Sequence, residues 1–345
     1  MTDQESKTII DFLKKVSPGT PLRTVIDDLI RSDLGALIVF DSPELAKIMD
    51  GGFRVNCRFT PQRLFELCKM DGAVIISSDM KRILFANVML TPDPIISTSE
   101  TGTRHRAGER SAKQANTFVL TVSERRKKIT LYFPKSKYYL RSRDELLREV
   151  STNLQVLEKQ REILDELMSK LTILEMSGLV SANDVCRVIQ RSEIILHISE
   201  SIKRYFTELG KDGNIMGMRY KELLKGVEKA EEGVIRDYNL LSLKKTKTLL
   251  SNFTFEGLLD LDSISRLVLE KSLEENVSAR GFRFLSNLKL NDQEISEIVD
   301  AMNSLDKIFS ASAEEFDNIF KNRGAQIRDD VNNLREQILS GKVIF

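Results

Sequence analysis

The chain has 345 residues, of which 41% are apolar and 30% charged, a balance typical of a globular protein. Its 52 basic and 51 acidic residues give a net charge of +1, which argues against a general polyanion-binding protein. Three cysteines without a C-x-x-C pair, together with only two histidines, leave too few suitably spaced ligands for a structural zinc site.

The N-terminal segment lacks the apolar stretch and the small-residue cleavage site of a signal peptide. No run of eighteen apolar residues occurs, so we expect no membrane span and no membrane partner. Cysteines this few and this scattered suit a reducing compartment. A cytoplasmic location is therefore the expectation.

Residues 1 to about 140 alternate short apolar runs with helical patterns. The runs are rich in β-branched and aromatic residues and are bounded by turn residues, which predicts buried strands. Thr60-Pro61 predicts the start of a helix, with threonine as the cap and proline in the first turn. We expect an α/β domain with a mixed sheet flanked by helices. The predicted strands cover residues 35–40, 73–76, 82–90, 117–122 and 129–133.

The chain from residue 141 onward is predicted to be almost entirely helical. Apolar residues recur about every three and a half positions over 141–177, with Arg161 interrupting the pattern, and this favours packing against neighbouring helices over a free coiled coil. Gly178 is expected to end this helix, and a later helix is expected over 214–238. The predicted domains are 1–140, an all-α spine over 141–277 and a small all-α domain over 278–345.

Two local motifs in the first region have a chemical interpretation. Asp71-Gly72-Ala73 stands just before a predicted strand, and Thr103-Arg104-His105-Arg106 stands at the start of a predicted helix that Thr103 is expected to cap. Basic groups at a helix N-terminus oppose the helix dipole by about 0.3–1 kcal/mol per charge. A bound phosphate would offset that cost through backbone N–H groups and arginine, so the second motif predicts a phosphate site.

The local charge agrees with this interpretation. Residues 101–128 hold eight Arg or Lys and two Glu, a net charge of +6 in a nearly neutral chain. The alternative is a solvated basic helix start followed by a charged hairpin turn. Asp71 alone is more typical of a turn, and its functional interpretation is an oxygen ligand for Mg²⁺. His197 lies in a largely apolar helix and is predicted to be a packing residue.

In order and spacing, the two motifs resemble the DGA and RHR signatures of diadenylate cyclase domains. The neighbouring segments 17–23, 34–37, 86–88, 100–103 and 107–113 are also similar, so the resemblance covers roughly residues 7–140. The long helical region and the segment 278–285 resemble the DNA-integrity-scanning group of this family, in which a helical spine and a helix-hairpin-helix domain follow the cyclase domain.

The resemblance implies that two ATP molecules are condensed to cyclic di-AMP and two pyrophosphates, in a site formed by two cyclase domains facing each other. It also implies Mg²⁺ or Mn²⁺ as cofactor, held by Asp71, and a homo-octamer. The implied catalytic residues are Asp71, Arg104, His105 and Arg106. The implied ATP-binding residues are Gly72, Leu90, Thr103, Arg104, His105, Arg106, Ala107 and Ser123.

The C-terminal region departs from the family pattern. The DNA-binding hairpin of such domains has a G-x-G core, whereas residues 319–324 supply one glycine. Residues 282–345 hold eight basic and eleven acidic residues, a net charge of −3, so we expect weak or absent DNA binding. Two other functions stay open: a DNA-junction sensor with a vestigial catalytic domain, and a helical scaffold that binds nucleotide only as a structural ligand.

Overall fold

The computed structural model describes residues 3–239, 241–320 and 323–342, with side chains described from residue 9 onward. This part of the chain forms two compact units. The first unit joins the chain up to Val150 with Arg204–Ile215, and the second joins Ser151–Lys203 with the chain from Met216 onward. Over the same residues, no helix is both long and apolar enough to cross a bilayer. The three-domain division remains a prediction.

A mixed sheet forms the centre of the first unit, as the sequence predicts. Over the described residues it has eight strands in the order β2-β5-β4-β1-β6-β7-β8, with β3 also paired to β5. The pair β1–β4 is parallel and the other pairs are antiparallel. The strands are β1 (Ala36–Phe40), β2 (Met49–Asp50), β3 (Phe53–Arg58), β4 (Ala73–Ile76), β5 (Arg82–Leu90), β6 (Val119–Val122), β7 (Ile129–Tyr132) and β8 (Lys137–Leu140).

Helices cover both faces of this sheet. The helices α1 (Asp3–Val16), α2 (Pro21–Arg31) and α3 (Pro61–Cys68) share one apolar core with the sheet, and α4 (Thr103–Gln114) packs into a second core on the opposite face. Side chains of β1 alternate between the two cores, which explains why all five are buried. A fully apolar run is therefore the correct signature for this central strand.

The sequence predicted the start of α3 but did not predict three strands at the margins of the sheet. Thr60 accepts a hydrogen bond from the Arg63 N–H, which confirms the predicted cap of α3. The sequence missed β2, β3 and β8. All three lie at the margins of the sheet, where few side chains are buried and no long apolar run marks the strand.

The second unit is helical, and the helices α5 (Arg143–Ser177) and α6 (Ala182–Leu209) contribute residues to both units. Gly178, at φ +65°, ends α5 as predicted. The prediction of one continuous helix over 214–238 is wrong, because Gly226 (φ +81°) separates two helices there. Arg161 donates hydrogen bonds to the Leu223 and Lys225 carbonyls, which explains its interruption of the apolar pattern. The helices are α5 (Arg143–Ser177), α6 (Ala182–Leu209), α7 (Asn214–Leu224), α8 (Val227–Tyr238), α9 (Leu243–Ser251), α10 (Phe255–Leu258) and α11 (Leu261–Val268).

Short helices continue to the end of this unit: α12 (Phe282–Leu285), α13 (Asp292–Met302), α14 (Leu305–Ser310), α15 (Ala313–Phe320) and α16 (Gly324–Leu339). The predicted hairpin over 319–324 includes residues 321 and 322, which lie outside the described residues, so the helix-hairpin-helix assignment remains a prediction. Gly324 is buried against α15, where its N–H donates to the Asp317 carboxylate at 2.7 Å. An added Cβ would collide with the Ala313 carbonyl oxygen, so this glycine permits close contact between the two helices.

Candidate functional site

One edge of the sheet brings together three predicted site residues that are distant in the sequence. The parallel register pairs Ile38 with Val74, and the antiparallel registers pair Ala36 with Val122 and Ala73 with Val88. Extended by one to three residues, these three registers place four positions side by side at the same edge. Neighbouring strands there are about 4.8 Å apart. In spatial order these positions are Leu90, Asp71, Gly35 and Ser123.

Gly72 keeps the segments around Asp71 in close contact. Its φ is +85°, and an added Cβ would lie 2.8 Å from the Val88 carbonyl oxygen of β5. Only glycine fits such a position without strain. The Asp71 side chain is exposed, and no hydrogen bond to its carboxylate is found among the described residues. The geometry therefore presents a free carboxylate at this edge.

The N-terminus of α4 points at the same edge. Gly102 is the N-cap residue, with an extended backbone and no side-chain cap, so the prediction that Thr103 caps the helix is wrong. Thr103 is instead the first helical residue, and its hydroxyl is exposed beside the free N–H groups of the first turn. Farther along α4, Gly108 packs against Thr121 and Leu37, which fixes the helix on the sheet.

Arg104 lies across Gly35. An added Cβ at Gly35 would overlap Nη1 of Arg104 and would lie 3.0 Å from its Cζ and 3.3 Å from the Val122 carbonyl oxygen. The guanidinium group therefore lies over the start of β1, between the strand positions of Asp71 and Ser123. Sequence reasoning gave Gly35 no role, because this contact joins positions nearly seventy residues apart.

His105 is half-buried, and its ring meets the ring of Tyr132 edge-on at 6.5 Å between centroids. Burial lowers the pKa of His105, the Glu100 carboxylate opposes this shift, and Arg104 and Arg126 add to it. The imidazole is therefore mainly neutral near pH 7, and a bound polyphosphate would favour its protonated form.

The remaining predicted residues differ in exposure. Arg106 is exposed and Ala107 is half-buried in the first turns of α4. Ser123 follows β6, and its hydroxyl accepts a hydrogen bond from the Arg126 N–H at 3.3 Å, which leaves its own proton free to donate. Leu90 ends β5 and packs against the core on the α4 face.

Two of the eight cations counted in the sequence donate hydrogen bonds to the segment that precedes α4. Residues 91–102 form an entry segment that leads into α4. Arg110 donates to the Ile96 and Pro94 carbonyls, each at 2.8 Å, and Lys113 donates to the Ser97 carbonyl at 2.8 Å. Their donors bind the entry segment, so the charge count overstated the phosphate-binding capacity of this region.

A divalent metal would find one protein carboxylate here. No group of three or more His, Cys, Asp or Glu suited to a metal occurs in the described part of the chain. Mg²⁺ is commonly held by one or two carboxylates together with substrate phosphates and water. The exposed Asp71 carboxylate fits that mode, in which the nucleotide supplies most of the ligands.

These features suit a nucleotide-binding α/β domain, in which the N-terminus of α4 and the Arg104 guanidinium group lie at the sheet edge that carries Asp71. A family model described as "DisA bacterial checkpoint controller nucleotide-binding" matches residues 23–136, and one described as "DisA bacterial checkpoint controller linker region" matches residues 140–275. The chain belongs to the DisA family, and its first unit carries the diadenylate cyclase domain of that family.

Full-length relatives agree with this assignment. A DNA integrity scanning protein DisA from Symbiobacterium thermophilum is 41% identical over 94% of this chain and 95% of its own length. One from Carboxydothermus hydrogenoformans is 39% identical over 96% of this chain and 98% of its own length. Among solved structures, DacA from Staphylococcus aureus is 25% identical over 43% of this chain and 95% of its own, with a TM-score of 0.30.

Proposed function

We propose that this protein converts two ATP molecules to cyclic di-AMP and two pyrophosphates. In each half-reaction the 3′-oxygen of one ATP forms a bond to the α-phosphorus of the other. The bond from that phosphorus to the oxygen that bridges to the β-phosphate breaks, pyrophosphate leaves with that oxygen, and the 3′-hydroxyl proton passes to solvent water. Positioning and charge stabilisation provide most of the catalysis in such transfers, so no covalent enzyme intermediate is required.

The residues at the sheet edge divide this work. Thr103, Arg104, His105, Arg106 and Ala107 would hold the triphosphate, because the helix N-terminus and the guanidinium groups favour charge that develops on phosphate oxygens. Ser123 would add a hydroxyl donor beside them. Gly72 would let the backbone approach the nucleotide, and Leu90 would contact the adenine.

Asp71 would accept a divalent metal and stand near the attacking 3′-hydroxyl. Mg²⁺ or Mn²⁺ would supply charge neutralisation for the phosphates when bound. By the β1–β4 register, the backbone of Asp71 lies beside Gly35, and the Arg104 guanidinium group lies across Gly35. This juxtaposition of the two motif segments is the single observation that supports the proposal of one shared site.

The product has two-fold symmetry, and each copy of the chain offers one such edge. We infer that two copies face each other across a two-fold axis, each holding one ATP. A monomer would then bind ATP without turning it over. A homo-octamer assembled through the helical regions, and a cytoplasmic location, complete the proposed picture.

The curated relatives are named for DNA integrity scanning, and we propose cyclic di-AMP synthesis as the main activity here, with DNA sensing or a role in DNA repair secondary. The net charge of −3 over residues 282–345 disfavours strong phosphate-backbone binding. The alternative, a DNA-junction sensor with a vestigial cyclase domain, conflicts with the free carboxylate and the basic helix start at one edge.

Incubation with ATP and Mg²⁺ or Mn²⁺, followed by mass analysis for cyclic di-AMP, tests the proposal. We expect product from the wild type and none from Asp71→Asn, because the amide is neutral and binds metal weakly. Unchanged circular dichroism and retained ATP binding would show that the variant folds. Wild-type rates for Asp71→Asn at saturating metal would remove Asp71 from the mechanism, and a wild type without product would refute the cyclase proposal.

A further inference from the structure

A second set of polar residues surrounds the entry segment on the side of β8. Lys137 Nζ donates to Glu100 Oε1 at 2.8 Å and to Ser99 Oγ at 2.7 Å. Both partners are shielded, with 29% of the Lys137 side chain and 16% of the Glu100 side chain exposed. Partly buried ion pairs of this kind are screened less than surface pairs, so this pair fixes the position of the entry segment.

The pair lies where its position affects α4. Glu100 is two residues before the N-cap Gly102, and β8 is the edge strand next to β7, with Lys137 paired to Tyr132. The first half of the entry segment is already bound by α4 itself, through Arg110 and Lys113. Lys137 binds the second half from the sheet, so the helix start is restrained from both sides.

Tyr132 connects this pair to the site. Its side chain is completely buried, its hydroxyl has no hydrogen bond of normal geometry, and its ring packs against His105. Burial and the nearby Glu100 carboxylate raise the pKa of Tyr132, so the phenol remains neutral. Tyr132 therefore lies beside both His105, through the ring contact, and Lys137, its partner across the β7–β8 ladder.

We infer that Lys137 and Glu100 form a positioning pair for His105, in which Lys137 fixes Glu100 at the start of α4 and Glu100 sets the orientation and charge of His105. The inference rests on the proposed function, in which His105 binds the triphosphate. The negative charge of Glu100 raises the pKa of His105, whereas burial, Arg104 and Arg126 lower it. Neither residue of the pair belongs to the two sequence motifs.

The two halves of the pair have opposite expected effects on His105. Glu100→Gln keeps the shape and an acceptor for Lys137 but removes the negative charge, so the pKa of His105 should fall. Lys137→Met leaves that charge without its partner, so the pKa should rise. Lys137→Arg keeps a positive charge that can pair with Glu100, so the pKa of His105 should stay as in the wild type. Lys127→Met is the matched control. It removes the same positive charge as Lys137→Met, but Lys127 pairs with Asp33 and not with Glu100.

The experiment is a pH titration of the full-length protein with ¹³C-labelled histidine, followed by nuclear magnetic resonance. The chain has two histidines, so His197→Gln assigns the signal of His105. Opposite shifts in Glu100→Gln and Lys137→Met, with the control within about 0.2 units of wild type, would support the pair. A shift in Glu100→Gln no larger than that of the control would overturn it.

An activity measurement separates this inference from the proposed function. If the pair acts through His105, the pH profile of kcat/KM for cyclic di-AMP formation shifts in the same direction as the titration, and Lys137→Arg restores it. A purely structural role would lower kcat/KM without moving the profile, and that result would contradict the inference. A wild type that forms no product would refute the cyclase proposal, while the histidine titration would still test the pair.

Discussion

Substitution of Gly35 by alanine tests whether Arg104 must lie across the start of β1. Gly35 is not among the residues with positive φ, so alanine fits the local backbone. Its Cβ would overlap Arg104 Nη1, which is the far end of a flexible side chain. Moving the Arg104 side chain costs little. We therefore expect the Gly35→Ala variant to fold normally, with the Arg104 guanidinium group displaced from the site.

The size of the effect follows from the lost contact. A hydrogen bond to a charged group contributes about 1.5–3 kcal/mol, and each 1.36 kcal/mol is about tenfold in rate. If Arg104 loses one such bond to the phosphates in the transition state, kcat/KM should fall by about 10- to 150-fold. The Val122 carbonyl oxygen, 3.3 Å from the added Cβ, requires only a small backbone adjustment.

A double-mutant cycle with Arg104→Gln identifies the cause. Rates of cyclic di-AMP formation would be measured for the wild type, both single variants and the double variant, with melting temperatures as the folding control. Because Gly35→Ala is expected to act through Arg104, it should cost almost nothing in the Arg104→Gln background. If Gly35→Ala lowered the rate by the same factor in both backgrounds, or kept full activity, the proposed role of Arg104 at Gly35 would be refuted.

Two further predictions concern the helical regions. Burial and the neighbouring Glu193 raise the pKa of Glu231 to about 9, so its proton stays bound in the folded state while the unfolded chain releases it above about pH 4.5. Glu231→Gln should therefore raise the free energy of unfolding by up to about 3 kcal/mol at pH 7, as measured by urea unfolding. This gain should disappear near pH 4.5. A difference between variant and wild type that does not change with pH would contradict the prediction. The full chain should bind a labelled DNA four-way junction with a Kd above about 1 µM at near-physiological salt. Salt-sensitive, sub-micromolar binding in fluorescence anisotropy would show that the acidic C-terminal region does not prevent DNA binding.

The sequence predicted those parts of the site that depend on local rules. Asp71-Gly72 before a strand requires the left-handed backbone that the structure shows, and the basic start of α4 violates a local preference in a recognisable way. The cap was wrong because Thr101-Gly102-Thr103 offers three adjacent candidates. Packing of α4 on the sheet, rather than side-chain preference, decides where the extended backbone ends.

Contacts between distant strands could not be predicted in the same way. Tyr132 meets His105, and Lys137 meets Glu100, only because β7 and β8 follow β6 at the sheet edge next to α4. Neither β8 nor its register was visible as an apolar pattern. A residue such as Gly35 has no local signal at all, since its importance comes from the guanidinium group that lies over it.

The basic residues of the segment 101–128 differ in whether their donors are available to a ligand. The net charge of +6 over residues 101–128 correctly indicated an unusual region, but a sum does not tell which donors remain available to a ligand. Arg110 and Lys113 use theirs on the entry segment, and Lys127 pairs with Asp33 at 2.7 Å. Arg104 and Arg106 remain in the first turn of α4, where the helix dipole adds to their charge. Phosphate affinity at this edge should therefore depend more strongly on these two arginines than on the larger number of cations around them.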